Sequence, residues 1–349
     1  MSTRQTGLGG QPLSTDSPLL GGKMPEAELD GEQAVATLEE IGAGAEDSRA
    51  PHTGFDPRSD DFAQPAAPSW PPGGNLPDLR ALLPASDEER SLDDWGRSEH
   101  FFKLIEPALN FYYRYWFRVE TEGIENIPAK GGALLVSNHS GALPPDAPMV
   151  MQAIRNEHSS PRPLYMLGEH WFKGYPGVGM ITNKIGLVAA HRANAQRLLF
   201  DEGRLAIVFP EGQKGSRKVY WQRYRLRRFG RGGFVRTAIR ARVPIVPIAL
   251  IGGEEAMPIF AHMRMMQRIS GLIYFPFNHA FPHFGLAAGM MYMPAKFKIR
   301  FLEPVDMSAY PPETADDAAE IQAIAEEIRT KIQLELDSML GKRRSVWFG

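Results

Sequence analysis

From about residue 131 onward the chain alternates short apolar runs with longer segments of helical periodicity, and this alternation limits the fold more than any other feature. The runs 133–136, 164–167, 187–189, 205–209, 243–250 and 297–302 are rich in Leu, Ile, Val, Phe and Ala and too short for buried helices. Between and after them, segments 147–155, 193–203, 232–242 and 315–340 predict helices. The last places Ile321, Ile324, Ala325, Ile328, Ile332 and Leu336 on one stripe. The expected fold class is therefore α/β, a mixed and mostly parallel sheet covered by helices. No internal repeat and no Gly-x-Gly-x-x-Gly turn occurs, so a dinucleotide-binding fold has no support.

The alternation does not reach the N-terminal part of the 349-residue chain. Residues 1–95 are rich in Gly, Pro, Ala, Ser and acids and offer little apolar surface to offset ordering entropy. They are expected to form a disordered acidic tail, with at most a short helix at 34–41, leaving residues 96–349 as one domain. The formal net charge of -2 hides a strong asymmetry: residues 1–95 carry 18 Asp+Glu against 6 Lys+Arg, so the remainder carries a net +10. A basic body points to an anionic partner, whether nucleic acid, a phosphorylated small molecule or an anionic membrane surface. The absence of cysteine excludes disulfide scaffolds, thiolate zinc sites and cysteine nucleophiles, and fits a reducing compartment. No uninterrupted run of about 18 apolar residues is present, which excludes a polytopic membrane protein. The opening Met-Ser-Thr-Arg-Gln has no apolar core behind it, so no secretory signal is expected.

Five segments could carry chemistry. In Ser137-Asn138-His139-Ser140-Gly141-Ala142-Leu143-Pro144-Pro145-Asp146, a strand runs into a polar loop at its carboxyl end, where α/β proteins place ligands. His139 there could serve as a general base if a carboxylate fixed its tautomer. Asp146 is the first acid downstream, and Pro144-Pro145 forces the loop to turn, so the two can meet; Asp146 could equally be only a helix-start residue ahead of Pro148. Gly186 to Arg192 delivers an arginine to a helix start, a good position for phosphate, although single arginines at such places are commonly structural. Phe209-Pro210-Glu211-Gly212 is a turn that fixes one acid at a strand end.

The other two are compositional. Residues 213–242 hold eleven Lys+Arg, Lys214 among them, without one acid, and Tyr220, Trp221, Tyr224 and Phe229 are interleaved. That favours anion binding, to lipid headgroups, phosphates or single-stranded nucleic acid. Residues 269–295 are uncharged apart from His279 and His283 and contain Pro276 and Pro282, which forbid a plain spanning helix. An apolar groove, a segment dipping into the lipid interface and a loop buried on the core all fit. Upstream, Leu104, Ala108, Phe111 and Tyr115 recur at helical spacing within a Tyr- and Trp-rich segment, which suits a membrane-interface helix or an ordinary core-packing one.

In order, these blocks resemble the glycerolipid acyltransferases typified by lysophosphatidic acid acyltransferases. The matching residues are Asn138-His139…Asp146, Gly186…Arg192, Phe209-Pro210-Glu211-Gly212 and Val243-Pro244-Ile245-Val246-Pro247, over roughly residues 97–305. The family pattern places four residues between His and Asp, where this chain has six and carries Pro144 at the usual position of the acid. Either the loop is lengthened and Asp146 still reaches His139, or the dyad is absent; the lengthened loop is the reading carried forward.

The resemblance implies a glycerol-3-phosphate acyltransferase-like fold. It also implies transfer of a fatty acyl group from acyl-CoA or acyl-ACP, used as co-substrate with no bound cofactor, to the free hydroxyl of a lysophospholipid such as 1-acyl-sn-glycerol 3-phosphate. His139 would be the general base and Asp146 its orienting acid. Asn138, Ser140, Gly186, Arg192, Phe209, Pro210, Glu211, Gly212 and Lys214 would line the substrate site. Arg192 and Lys214 would hold phosphate, and Glu211 would contact glycerol hydroxyls or fix Arg192. The implied protein is cytoplasmic and peripheral on a membrane rich in anionic lipid, with acyl carrier protein a candidate partner and nucleic acid not one. The rival readings are the same fold acylating a non-phosphorylated lipid alcohol, and a non-catalytic anionic-lipid-binding protein. A nucleic-acid binder leaves the His139 loop unexplained, and His139, His158, His170 and His191 lack the paired spacing of a metal site.

Overall fold

Ala133-Leu134-Leu135-Val136-Ser137 is buried along its whole length, as a strand covered on both faces must be. It is the central strand of a single sheet in the computed structural model, which describes residues 92–140, 145–168, 178–262, 265, 283–284 and 291–349. Seven strands take part: β1 (Glu120–Glu122), β2 (Ala133–Ser137), β3 (Leu164–Gly168), β4 (Leu187–Ala189), β5 (Leu205–Val208), β6 (Ile245–Ile251) and β7 (Lys298–Phe301). Their spatial order is β1-β7-β6-β2-β5-β3-β4, and every neighbouring pair is parallel except β6 and β7. This is the mixed, mostly parallel sheet expected.

The period-two alternation of strand side chains divides the core into two layers. Leu135, Val246, Ile248 and Leu250 pack on one face with helices α1 (Glu99–Phe111) and α2 (Asp146–Glu157), through Phe102, Met149, Val150 and Ile154. Leu134, Val136, Ile245 and Ala249 pack on the other, where α6 (Gly233–Ala241) and α8 (Ala318–Lys342) supply Val235, Ile239, Ile328 and Ile332. The remaining helices are short: α3 (Val178–Lys184), α4 (Arg192–Gln196), α5 (Gln213–Ser216) and α7 (Gly253–Ala256). All six stripe residues expected on α8 are buried, each stabilising the fold by roughly 1–3 kcal/mol. That helix starts where Asp317 accepts the backbone N–H groups of Ala319 and Glu320, a cap contributing about 1 kcal/mol.

Some boundaries differ from expectation. The segment 193–203 is α4 followed by a π-helical turn, Arg197–Asp201, and α1 runs similarly into a π-helical turn, Tyr112–Trp116. The domain's contacts also begin before residue 96: Tyr165 donates to Asp93 at 2.5 Å and the Trp95 indole N–H to Glu202 at 3.1 Å. The expected tail up to residue 91, His170 and most of the apolar stretch 269–295 lie outside the described residues. Among the described residues, no helix is long and apolar enough to cross a membrane.

The connectivity fixes where a ligand can enter. From β2 the chain passes to β3 and β4, returns to β5 beside β2, and then crosses to β6 on the other flank of β2. A reversal of this kind opens a crevice at the carboxyl end of the strand at which it occurs, here β2.

Candidate functional site

Three strand ends converge at that crevice. Val136 of β2 pairs with Val208 of β5, so His139 and Glu211, each three residues further on, emerge side by side. The backbone N–H of His139 donates to Glu211 Oε1 at 3.0 Å, and the imidazole stacks on Phe209 with ring centroids 4.4 Å apart. On the other flank, the Asn138 amide donates to the Leu250 carbonyl at 2.9 Å and accepts the Leu250 N–H at 2.8 Å.

The lengthened loop does bring its acid to the histidine. His139 Nδ1 lies 3.1 Å from Asp146 Oδ2, with the imidazole 17 % exposed and the carboxylate fully buried. Asp146 is the first residue of α2, following Pro145 and with Pro148 tolerated in the first turn. The same oxygen accepts the Ser140 N–H at 2.8 Å, and the Ser140 hydroxyl donates to Oδ1. Asp146 thus starts its helix and meets His139 at once, so the two sequence readings were not exclusive. An ionised carboxylate only accepts, so Nδ1 carries the hydrogen and the lone pair falls on Nε2. No described residue bonds Nε2. The Cβ that any larger residue would place at Gly253, just after β6, would lie 2.2 Å from Ser140 Oγ and 2.7 Å from Asp146 Oδ1, so only glycine lets these loops close.

Beneath the dyad is a buried ionic chain. Glu211 accepts from His139 N–H through one oxygen and from Arg227 N–H at 2.8 Å through the other. Lys218 Nζ lies 3.4 Å from Glu211 and 2.8 Å from Glu254, all three side chains being buried. Burial pushes the Glu254 carboxyl up to about 7, against the pull of Lys218. Burial also draws Lys218 down, but Glu254 and Glu211 outweigh it and leave the ammonium above its usual range. Next to this, Tyr224 donates its hydroxyl to Glu255 and accepts Gly252 N–H at 2.7 Å, while Arg343 pairs with Glu255 at 2.9 Å.

Several expected site residues have other positions. Asn138 and Ser140 are buried with their side-chain polar atoms engaged, so they hold the loop together rather than face a ligand. Gly186 precedes β4 at its amino end, the opposite end of the sheet from His139, and serves a turn at φ +102°. Glu211 does not fix Arg192; its oxygens are occupied by His139, Arg227 and Lys218. Pro210 and Gly212 (φ +55°) shape the turn that presents Glu211, with Gly212 N–H donating to Phe209 at 2.9 Å. Lys214 is exposed on α5, and it is Lys218 that reaches the acid.

Arg192 starts α4 at the carboxyl end of β4 and lines an open cleft of about 280 Å³ with Arg236 and Arg240 of α6. No described bond links it to the dyad. Arg236 donates to the Ala315 carbonyl and Arg240 pairs with Asp316, which leaves Arg192 as the uncommitted guanidinium of the cleft among the described residues. The basic run is therefore partly compensated in space by acids distant in sequence, Glu254, Glu255 and Asp316. Lys218 and Glu254 were not singled out by sequence reasoning. The available signal was a pair of glutamates just past the Gly252-Gly253 turn that follows the wholly apolar β6.

Comparison with known proteins adds independent information. Residues 118–251 match the family described as Acyltransferase, a span containing both the dyad and the Glu211 turn. An uncharacterized protein of Mycobacterium tuberculosis is 41% identical over 260 residues, covering 74% of this chain and 72% of the relative. A human protein described as DGAT1/2-independent enzyme synthesizing storage lipids is 25% identical over 219 residues, 62% of each chain. The crystal structure of a 1-acyl-sn-glycerophosphate (LPA) acyltransferase from Thermotoga maritima aligns over 76% of this chain and 88% of its own, at 19% identity and a TM-score of 0.47.

Proposed function

Because the chain belongs to the acyltransferase family, we propose that it transfers a fatty acyl group from an acyl thioester to the free hydroxyl of a lysophospholipid at a membrane surface. The observation that carries this reading is the His139–Asp146 pair at 3.1 Å, with the acid buried and the imidazole partly exposed. Asp146 orients the ring and stabilises its protonated form, as the acid does in a Ser-His-Asp triad. Nε2 removes the proton of the acceptor hydroxyl, whose oxygen attacks the thioester carbonyl. The tetrahedral intermediate collapses by breaking the carbon–sulfur bond, and the imidazolium returns its proton to the leaving thiolate. No protein nucleophile is needed, which suits a chain without cysteine.

Arg192 binds the acceptor's phosphate in this reading, since its guanidinium has no described partner and stands at the same end of the sheet as His139. Glu211 acts from below: it holds the His139 backbone and touches no substrate. The donor is acyl-CoA or acyl-ACP, whose anionic carrier suits the basic body of the domain.

The test is release of free coenzyme A from oleoyl-CoA with lysophosphatidic acid on vesicles. Release requires the acceptor, vanishes in His139→Ala, and falls roughly 10²–10⁴-fold in Asp146→Asn, which leaves the ring unoriented. A His139→Ala protein with undiminished turnover would end this assignment. Turnover with a non-phosphorylated acceptor but none with lysophosphatidic acid would keep the chemistry and remove the role of Arg192.

A further inference from the structure

Leu104, Ala108, Phe111 and Tyr115 form an apolar stripe along α1 and the π-helical turn that follows it. In a globular domain such a stripe faces the core. Here it faces solvent, with Leu104 69 %, Phe111 49 % and Tyr115 71 % exposed. The segment reaches the core through other residues: Phe102 and Tyr113 are buried, and the Trp116 indole N–H donates to the Tyr292 carbonyl at 3.1 Å. Among the described residues, the ring contacts of Phe111 are all made within its own segment, to Tyr112, Tyr115 and Trp116.

The exposed surface extends beyond the helix. Arg118 donates to the carbonyls of Tyr115 and Trp116 and to that of Trp347, tying the stripe to the turn Ser345–Phe348. Trp347 is 47 % and Phe348 86 % exposed. Lys103 and Arg114 beside the stripe and Arg344 beside the turn are exposed, and no described carboxylate pairs with them. Aromatic and aliphatic side chains bordered by uncompensated cations match the apolar boundary and negative headgroups of an anionic bilayer.

Its location strengthens the match. Glu120 opens β1 just beyond Arg118 and pairs with Lys298 of β7, which in turn pairs with Ile251 at the carboxyl end of β6. β6 is parallel to β2, whose carboxyl end carries His139. Tyr115, next to Arg118, therefore stands at the same end of the sheet as the dyad, and β1 is three strand spacings, roughly 14 Å, from β2. Helix α1 begins at the other end, where the Ser98 N–H donates to Lys184 beside Gly186, so the stripe runs along the sheet toward the dyad end.

We propose that Leu104, Phe111, Tyr115, Trp347 and Phe348, with their flanking cations, dock this protein on an anionic phospholipid bilayer with α1 laid along the surface and its Tyr115 end, the end nearer His139, held at the lipid. The orientation rests on the lipid-acceptor reading above; the docking is measured without turnover.

Full-length protein is floated with vesicles of phosphatidylcholine, with and without phosphatidylglycerol. It is compared with Leu104→Ser/Phe111→Ser, with Trp347→Ser/Phe348→Ser and with the control Phe200→Ser/Leu334→Ser, whose residues are exposed elsewhere, each checked by thermal melting. Wild type, control and His139→Ala float with the phosphatidylglycerol vesicles, and both docking variants bind at least about tenfold more weakly. With acceptor dispersed in detergent, the docking variants release coenzyme A at the wild-type rate; with acceptor in vesicles they do not. Docking variants that bind as wild type does overturn the proposal. A wild type that ignores vesicles also overturns it, including one that dimerises until Leu104→Ser/Phe111→Ser splits it, which makes a second copy the occupant. Absence of turnover with the vesicle pattern intact removes the acyltransferase reading and leaves the docking surface standing.

Discussion

Burial away from water governs how Glu254 titrates, with the neighbouring Glu211 a smaller influence of the same sign. Glu211 takes two backbone N–H groups as well as Lys218, whereas Glu254 has Lys218 at 2.8 Å and the Tyr224 N–H at 3.0 Å. Burial therefore raises Glu254, from an ordinary 4.5 to about 7, while Lys218 stays charged. Between those two values the native protein keeps a proton that the unfolded chain has released. The stability this contributes is fully present below 4.5 and disappears as pH rises through about 7. Its ceiling is on the order of 3–4 kcal/mol, reduced by the coupling to Lys218. Urea denaturation across this pH range is expected to show wild-type stability falling with pH more steeply than that of Glu254→Gln, which has no proton to lose. Parallel curves for the two proteins would mean that Glu254 is ionised throughout, and that the buried chain is balanced some other way.

Gly253 shows how one element governs another at the site. The turn after β6 closes on the loop after β2 so tightly that a methyl group at Gly253 would overlap Ser140 and Asp146. Gly253→Ala is expected to displace the acid from His139 and lower coenzyme A release roughly 10²-fold, the usual result of misplacing a catalytic group by about an ångström. A thermal melt of the same variant should show a folded, moderately destabilised protein. Wild-type turnover in Gly253→Ala would show that the dyad tolerates movement of this turn. The contact could not be read from sequence, because it joins loops more than a hundred residues apart, and Gly252-Gly253 looks like an ordinary turn. The strands were legible for the opposite reason. β2, β5 and β6 are covered on both faces and so appear as unbroken apolar runs, whereas β1 is a sheet edge reading Glu120-Thr121-Glu122, with Glu120 and Glu122 matched to Lys298 and Arg300 across the pair. His139, Asp146 and Glu211 were legible because each follows a strand end in a distinctive loop. Lys218 was hidden among ten other cations, and only the fold separates the one that is buried. The stripe on α1 was visible at helical spacing, but which way it faced depends on Phe102 and Tyr113 occupying the core side.

At the scale of the whole molecule, charge is distributed along the chain in a way that should tune membrane binding. Residues 1–91 carry 16 Asp+Glu against 6 Lys+Arg, so the formal charge changes from -2 for the full chain to +8 for residues 92–349. An acidic segment tethered to a basic domain competes with anionic headgroups for the same cations through purely Coulombic terms. Two components of docking are then separable. The apolar one, from Leu104, Phe111, Tyr115, Trp347 and Phe348, is insensitive to moderate salt, while the Coulombic one fades as the Debye length shrinks from about 10 Å at 0.1 M to about 3 Å at 1 M. Deleting residues 1–91 is expected to strengthen binding to phosphatidylglycerol vesicles at low ionic strength, with the two proteins converging near 1 M salt, where screening is nearly complete. The serine variants of the stripe should instead remain weaker binders at every salt concentration. Flotation across a salt series distinguishes the two: identical affinities for the full chain and the deletion at low salt would show that the acidic segment does not act on the docking face, and would leave docking to the apolar stripe and its adjoining cations.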